Sequence, residues 1–361
     1  MSKPKDDYHP STTPVDSTSA PIHVLHVTNA YPYSAVPEYG VFVKEQIESL
    51  DQARIRSSIL FINGREDGKS SYLSAVGRVR KAAKNVDVIH CHHVYSALVV
   101  ALSGSWRRKP VVLSFLNDWT REVKDFPTAL GRRLLCSVAV AISSKVIFKS
   151  PIPGPLKGCT KAVNLPNGVD TDFFCPADPH ESKSLLGLDA ESNYVLFVSS
   201  KNKLRDQKRY DLFASTIALA QSMRPDLKIQ ELVMVGIERS QVPLIFSASS
   251  VHLLTSDYEG SPNSVKEALA CGTPVVSRDV GNVAQMCADV TGANVVNSAN
   301  TDVLATALIK SIEPRLAQES IRQSFLKTGL TRPEVSAKLE RIYWNVTTGT
   351  APKESCEATS E

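Results

Sequence analysis

The stretch SDYEGSPNSVKEALACGTPVVS holds two carboxylates, Glu259 and Glu267, on either side of a turn rich in Gly, Ser, Pro and Asn. The preceding SVHLLTS favours a strand, and the following SVKEALAC favours a helix that Gly272 ends. We therefore expect Glu259 at the carboxyl end of a strand and Glu267 in the first turns of a helix. Backbone amides at such a helix start suit an anion such as phosphate.

Carboxylates accept hydrogen bonds from hydroxyl groups, so the two acids and the amides together suit a ligand with phosphates and hydroxyl pairs. A nucleotide sugar is a ligand of this kind. The alternative is that Glu267 only caps its helix while Glu259 is solvated. Ser264 and Glu267 have the spacing of a capping box, which favours this alternative.

The elements that would position these acids follow a regular alternation of β-branched runs and helical patterns. Runs in the first half are IHVLHVT, SSILFI, DVIHC, PVVLSF, KVIFKS and AVNLP, with PEYGVFVKEQIESL and TALGRRLLCSVAVAIS as helices. Runs in the second half are YVLFVS, ELVMV, SVHLLTS, PVVS and NVV. This βαβ alternation predicts an α/β fold with two doubly wound, Rossmann-like domains that face each other across a cleft.

Composition changes along the chain predict the domain boundaries. Residues 1–20 are polar and rich in Pro, Ser and Thr, without the apolar core of a secretion signal, and are expected to be a disordered tail. Residues 21–175 form the first domain, 176–192 the linker and 193–330 the second domain. An amphipathic helix at 331–347 is expected to cross back to the first domain, and 348–361 form a second tail.

Composition also excludes several classes of protein. The chain has 361 residues, 42% of them apolar, which is enough for two cores but includes no apolar run of membrane-spanning length. Its seven cysteines form no CxxC pair, which argues against a disulfide framework or a zinc site. The sequence therefore predicts a cytoplasmic protein.

The net charge of +4 conceals an asymmetry between the two halves. Residues 1–170 hold 22 Lys/Arg and 14 Asp/Glu, hence +8, and the remainder holds 19 and 23, hence −4. Basic clusters at 77–84, 105–110 and 130–135 suit anionic lipid headgroups or a diphosphate-bearing acceptor, or are solvated helix ends. Nucleic acid is not expected, because no aromatic interleaving or binding motif accompanies the charge.

The acidic stretch resembles the EX7E region of the family 4 retaining glycosyltransferases, the "glycosyl transferases group 1" with the GT-B fold. The form EGSPNSVKEALACGTPVVS is similar to bacterial members that build surface polysaccharides. Other similar segments occur in the same order over residues 21–347: YPYSAVPEYGVFVKEQIESL, VDVIHCHH, LPNGVDTDFF, QKRYDL and LTRPEVSAKLERIYWNV. The combination is specific, although each segment alone is weak.

The resemblance implies roles for residues of the second domain. Glu259 would contact the donor sugar near the reaction centre, and Glu267 would hold the ribose hydroxyls. Arg205 and Lys208, in KLRDQKRYDL, would neutralise the diphosphate as its charge grows, although Arg205 could instead be a solvated loop charge. The loop between the two acids would contact sugar and phosphate through Gly260, Ser261, Asn263 and Ser264.

In the first domain the resemblance places Gly40 where a helix start approaches the phosphates, although many members have two adjacent glycines there. Many members also have a histidine at the position of Leu116, so we assign no histidine role. Asp118 or Asn117 is expected to face the sugar, the alternative for Asp118 being a helix cap. Gln285 stands where many members have a glutamate and receives no role.

Three histidines in VDVIHCHH, His90, His92 and His93, raise the question of a metal. Residues 90 and 92 would share one face of a strand. The family has histidines in this strand without a metal, and no carboxylate or cysteine cluster completes a site. We therefore expect no metal and no cofactor beyond the donor itself.

Together the resemblance implies an enzyme that transfers a sugar, with retention, from a UDP- or GDP-sugar to a glycan or lipid-linked acceptor. The setting would be polysaccharide biosynthesis at the inner face of the cell membrane. Two alternatives remain open: a GT-B sugar-nucleotide 2-epimerase, and a non-catalytic homologue that binds nucleotide sugars. The EGSPNSVKEA form and the interdomain LPNGVD favour the transferase.

Overall fold

The structure is a computed structural model that describes residues 20–52, 54–116, 126–199 and 205–349. Within these residues the strands form two parallel sheets, one from each half of the chain. The predicted α/β class with two doubly wound domains is therefore confirmed at the level of the sheets. Among the described helices none is both long and apolar enough to span a bilayer.

The first sheet has six parallel strands in the order β2-β1-β3-β4-β5-β6. Its strands are β1 (Ile22–Thr28), β2 (Ile55–Phe61), β3 (Val88–His92), β4 (Val111–Phe115), β5 (Lys145–Phe148) and β6 (Ala162–Asn164). Its helices are α1 (Val41–Glu48), α2 (Ser70–Ala82), α3 (Val94–Ser103) and α4 (Phe126–Ala141). The sheet carries a buried apolar cluster on each face, which is why its strands have nearly continuous apolar sequences.

The second sheet has five parallel strands in the order β11-β10-β9-β7-β8. They are β7 (Asn193–Val198), β8 (Ile229–Met234), β9 (Val251–Leu254), β10 (Val275–Arg278) and β11 (Ala293–Val296). The helices of this half are α5 (Pro179–Leu185), α6 (Tyr210–Met223), α7 (Val242–Ala248), α8 (Asn263–Ala270), α9 (Val283–Cys287), α10 (Thr301–Ile312), α11 (Gln318–Leu326) and α12 (Arg332–Thr348). Helix α5 lies within the predicted linker.

Helix α12 returns from the second half to the first sheet. Leu339 and Tyr343 are fully buried in one cluster with Val24 and Val88, which come from β1 and β3. The Tyr343 hydroxyl lies 2.7 Å from His90 Nδ1. The start of the helix is a capping box, in which Thr331 and Glu334 satisfy each other's backbone N–H groups. Helix α12 therefore follows the second half in the chain and packs against the sheet of the first half.

The segment LPNGVD, read from the sequence as an interdomain turn, contacts the start of α12. Val169 N donates to the carbonyl of Leu330 at 3.0 Å, and Arg332 N donates to the carbonyl of Val169 at 2.7 Å. A side chain on Gly168 would place its Cβ 2.7 Å from the Arg332 Cα, so the two backbones touch. Glycine is needed here because of this close approach.

Candidate functional site

A cavity of about 490 Å³ lies between the two halves of the molecule. One wall is the loop after β5, residues 150–154 with Lys157; the other comes from loops after β7, β9 and β10. All of these loops follow the carboxyl ends of parallel strands, where ligands of open α/β sheets bind. The second wall contains Arg205, Gln207, Lys208, Tyr258, Glu259, Gly260 and Gly281.

Glu259 and Lys208 form an ion pair in this cavity. Lys208 Nζ donates to Glu259 Oε1 over 2.7 Å, and each side chain is 15% exposed. Ser256 Oγ donates to the same carboxylate oxygen at 2.8 Å. Glu259 is therefore held in place, and the alternative that it is merely solvated is wrong.

The loop that carries Lys208 is fastened to the loop that carries Glu259. Thr255 Oγ1 donates to the carbonyls of Lys208 and Arg209 at 2.9 and 3.0 Å. Gln207 Nε2 donates to the carbonyl of Tyr258 at 2.6 Å. These bonds fix the positions of the loops that carry Glu259 and Lys208 before any ligand binds, as a preorganised site requires.

Arg205 lies in the same cavity without an acidic partner among the described residues. Its Nη2 donates to Gln207 Oε1 at 3.1 Å. The structure brings Arg205, Lys208, Glu259 and Gly260, to which the resemblance gives donor-binding roles, into one cavity. Arg205 is a charged group that is free to meet an anion.

Helix α8 begins at Asn263 with Pro262 at its cap position, and no side chain caps it. The predicted capping box of Ser264 and Glu267 is wrong, because Ser264 Oγ lies 3.0 Å from Nε2 of the buried His252. Ser261 Oγ and Asn263 Oδ1 are buried and have no hydrogen-bond partner among the described residues. Unpartnered buried polar atoms at a helix start are what a polar ligand or water satisfies.

Glu267 is buried and pairs with an arginine that sequence reasoning missed. Arg239 Nη1 donates to Glu267 Oε1 at 3.0 Å. Burial raises the pKa of the Glu267 carboxyl, and the Arg239 guanidinium opposes that rise. Glu267 does not line the 490 Å³ cavity, so within the described residues the two acids occupy separate environments.

Gly40 has φ of +69° and occupies the cap position of α1. A Cβ there would lie 2.3 Å from the carbonyl carbon of Ala30. The sequence explained this glycine by the approach of a phosphate. The structure gives it an additional cause, since the helix start touches the chain's own backbone after β1.

Asn117 and Asp118 lie outside the described residues. Leu116, directly before them, is half-buried at the end of β4.

The histidines of β3 form a buried trio with His26 of β1, a residue that the sequence did not single out. One ring nitrogen from each of His26, His90 and His92 lies within 4.8 Å of the others, a grouping that could hold a metal ion. Every ring nitrogen of the trio except His92 Nδ1 already has a protein partner, the remaining partners being Ser57, Ser114 and Tyr343. Burial lowers the pKa of all three rings, that of His26 to about 3.

Gly281 is another site residue that the sequence did not reveal. It has φ of +62°, and a Cβ there would lie 2.2 Å from the Gly260 carbonyl oxygen. Asn282 N donates to that same oxygen at 3.1 Å. The loop after β10 therefore supports the turn that follows Glu259. The two loops are distant in the sequence, and no sequence pattern indicated this contact.

Part of the chain is similar in sequence to known glycosyltransferases. Residues 192–313 match the family model described as "Glycosyl transferases group 1". Alpha-maltose-1-phosphate synthase of Mycobacterium tuberculosis is 24% identical over 274 residues, 64% of this chain and 70% of the relative. The lipopolysaccharide core biosynthesis mannosyltransferase LpsB of Rhizobium meliloti is 28% identical over 189 residues, 43% of this chain and 52% of the relative.

Solved structures show the same fold at low identity. Sucrose-phosphate synthase from Thermosynechococcus elongatus superposes with a TM-score of 0.71 at 14% identity, over 91% of this chain and all of that one. Anabaena HepE in complex with UDP gives 0.66 at 14% identity, over 90% of this chain and all of that one. The chain thus has the GT-B fold, and its residues 192–313 are similar to the group 1 glycosyl transferases, which supports a glycosyltransferase.

Proposed function

We propose that the protein transfers a sugar from a UDP- or GDP-sugar, with retention, to a glycan or lipid-linked acceptor. The observation that carries the proposal is the cavity between the two sheets in which Arg205 and the Lys208–Glu259 pair lie together. Fixed cations and a fixed carboxylate in one cavity suit a donor with a diphosphate and sugar hydroxyls. The UDP bound in Anabaena HepE supports a nucleotide donor here.

In the proposed reaction Glu259 binds hydroxyls of the donor sugar, while Arg205 and Lys208 contact the diphosphate. The bond from the sugar's anomeric carbon to the diphosphate breaks, and its electron pair passes to the phosphate oxygen. The acceptor hydroxyl oxygen bonds the same carbon from the same face, and its proton moves to that phosphate oxygen. This route uses no enzyme nucleophile, and we propose that no metal is needed.

The remaining donor contacts are proposed for residues outside the 490 Å³ cavity. Glu267 would hold the ribose hydroxyls, and this requires Arg239 to share the carboxylate with them. Ser261, Asn263 and Ser264 at the start of α8, together with Gly40 of the first half, would border the phosphates and sugar. Asp118 is proposed to face the sugar, as the resemblance implies.

We also propose that the protein works at the cytosolic face of the membrane. Leu130, Leu134 and Val138 lie four residues apart on α4 and are 58%, 65% and 38% exposed. Arg132 and Arg133 stand between them on the same helix. An exposed apolar stripe beside basic side chains suits an anionic lipid surface, where a lipid-linked acceptor would be found.

The proposal is tested by thermal shift of the purified protein with UDP, GDP and their sugars, repeated with Glu267→Gln. We expect one nucleotide to stabilise the protein and the variant to lose most of the shift. Glu313→Gln serves as the control, because Glu313 is an exposed acid that pairs with Arg224 and does not line the cavity. No shift with any nucleotide would overturn the donor assignment.

The two alternatives predict different products. A 2-epimerase would change the sugar of the donor without any acceptor, which NMR of the recovered nucleotide sugar detects. A non-catalytic homologue would bind the donor, yet neither hydrolysis nor transfer would occur with any acceptor extract.

A further inference from the structure

The charges on the two walls of the 490 Å³ cavity are unequal. On the wall from the second half, Arg205 and Lys208 contribute two positive charges and Glu259 one negative charge. Because Lys208 Nζ lies 2.7 Å from Glu259 Oε1, the carboxylate largely neutralises the charge of the lysine. This wall therefore offers a net charge of +1.

The wall from the first half supplies one more cation and no acid. Residues 150–154 and Lys157 form it, and Lys157 has no carboxylate partner among the described residues. The lysine is exposed, so its charge is available to a ligand. The cavity as a whole then carries a net charge of +2.

The loop that carries Lys157 has a restricted conformation. Asn164 Nδ2 donates to the carbonyls of Ser150 and Phe148 at 2.6 and 3.1 Å. Lys157 N donates to the carbonyl of Gly154 at 3.1 Å. Three prolines, at positions 151, 153 and 155, fix φ along the loop. The lysine backbone is thus placed before the ligand binds.

We propose that Lys157 is a catalytic residue that contacts the leaving diphosphate from across the cleft. This inference rests on the proposed function, in which the donor is a nucleoside diphosphate sugar. A diphosphate joined to a sugar and a nucleoside carries two negative charges, one more than the second-half wall offsets. Lys157 offsets the other.

The contribution of Lys157 grows during the reaction. When the sugar–oxygen bond breaks, its electron pair adds negative charge to the diphosphate until the acceptor's proton arrives on that oxygen. A cation held nearby in a partly enclosed cavity stabilises the charge as it develops. Because this cation comes from the opposite half, bond cleavage is favoured only when both walls meet the donor.

The experiment compares Lys157→Gln and Lys157→Arg with Lys161→Gln, a control at an exposed lysine that does not line the cavity. Calorimetry measures the affinity of each protein for the nucleoside diphosphate and for the matching monophosphate, UDP with UMP or GDP with GMP. Lys157→Gln is expected to weaken diphosphate binding roughly tenfold and monophosphate binding much less, since one charge-assisted contact is lost. Lys157→Arg restores most of the affinity, and Lys161→Gln changes neither value.

Slow donor hydrolysis without an acceptor gives a second measurement, in which Lys157→Gln lowers kcat as well as raising KM. Equal diphosphate affinity in the Lys157→Gln variant and the wild type overturns this inference alone. The inference is also overturned if Lys157→Gln leaves nucleotide affinity unchanged and weakens only the binding of a phosphorylated sugar that is added as a model acceptor. Lys157 would then bind the acceptor and not the donor. If the wild type binds neither UDP nor GDP, the proposed function itself is overturned.

Discussion

The guanidinium of Arg239 donates a hydrogen bond to the buried carboxylate of Glu267 over 3.0 Å, and the two residues are 28 positions apart. Its other terminal nitrogen donates to Glu45 of α1 at 3.2 Å. Arg239 also lies over the Phe174 ring, at 4.8 Å from its centroid. One arginine therefore connects the proposed ribose acid to the first half of the molecule.

Replacing Arg239 by Ala is expected to lower the unfolding free energy by about 1–2 kcal/mol at pH 7. Glu267 would be left buried without its cation, and the partial exposure of Arg239 keeps the loss below that of a fully buried pair. Without the arginine the pKa of Glu267 rises further, so the variant's carboxyl takes up a proton more readily on acidification and the loss is smaller at pH 5 than at pH 7. Urea unfolding at both pH values measures this.

Arg224→Ala is the matched control for that experiment, because Arg224 pairs with Asp226 and Glu313 at the surface. We expect almost no loss of unfolding free energy, because the pair is exposed to solvent, and no difference between the two pH values. A loss for Arg239→Ala that is the same at pH 5 and pH 7 would contradict the pairing with Glu267.

Replacing Glu259 by Gln is expected to have opposite effects on two ligands. The change frees Lys208 from its carboxylate, so the free nucleoside diphosphate should bind several-fold more tightly. The nucleotide sugar should lose its advantage over the free diphosphate, because the carboxylate that binds sugar hydroxyls is gone. Calorimetry with UDP and UDP-sugar, or with the GDP pair, measures both, and parallel changes in the two affinities would count against the assigned roles.

Gly40→Ala is expected to destabilise the fold by about 2 kcal/mol or more. The new Cβ would meet the Ala30 carbonyl carbon at 2.3 Å, and φ of +69° strains any L side chain. Gly77→Ala, on α2 with nothing within 4 Å of the new Cβ, should instead be stabilising by up to about 1 kcal/mol. Thermal unfolding of both variants provides the comparison, and a neutral Gly40→Ala would show that the loop after β1 can move.

The parts of the site that the sequence could predict are those set by local pattern. The strand before Glu259 and the helix that contains Glu267 followed from apolar periodicity and from Gly272. The nearness of Lys208 and Glu259 followed from the family resemblance, since 51 positions separate them. No local signal indicated that Ser264 would bond to His252 rather than cap α8, because that bond depends on how the helix packs.

Contacts between the two halves could not be predicted from the sequence either, because they also depend on how distant elements pack. The bond from Arg239 to Glu45 spans 194 positions and exists only because α1 lies beside the second half. Lys157 was not predicted as a site residue, because a single lysine in a proline-rich loop belongs to no sequence motif that indicates a function. Only the arrangement of the two halves around the cavity places it opposite Arg205.

Stability is expected to fall steeply below pH 6.5. Burial lowers the pKa of His26 to about 3 and that of His252 to about 4, and lowers those of His90 and His92. Between 6.5 and these values the unfolded chain binds a proton that the folded ring does not. Each such histidine then removes about 1.4 kcal/mol of unfolding free energy for every pH unit of acidification.

His26→Gln should reduce that slope by about 1.4 kcal/mol per pH unit, whatever it does to the absolute stability. Urea titrations at pH 7, 6 and 5 give the slopes of wild type and variant. The buried Lys149 and Lys266, whose pKa values burial lowers to about 7, act mainly above this range, where falling pH also lowers stability. Equal slopes for wild type and variant would contradict a lowered pKa for His26 in the folded protein.

Leu130→Gln combined with Leu134→Gln is expected to reduce binding to anionic phospholipid vesicles several-fold. The two leucines are 58% and 65% exposed on α4, and each loses the apolar surface that would enter the lipid boundary. Leu185→Gln, at a leucine 67% exposed on α5 of the second half, is the matched control and should bind as the wild type does. Vesicle co-sedimentation at low and high salt separates the two forces, since the contribution of Arg132 and Arg133 weakens with salt whereas that of the leucines persists. Equal binding by all three proteins would show that α4 is not the surface that meets the membrane.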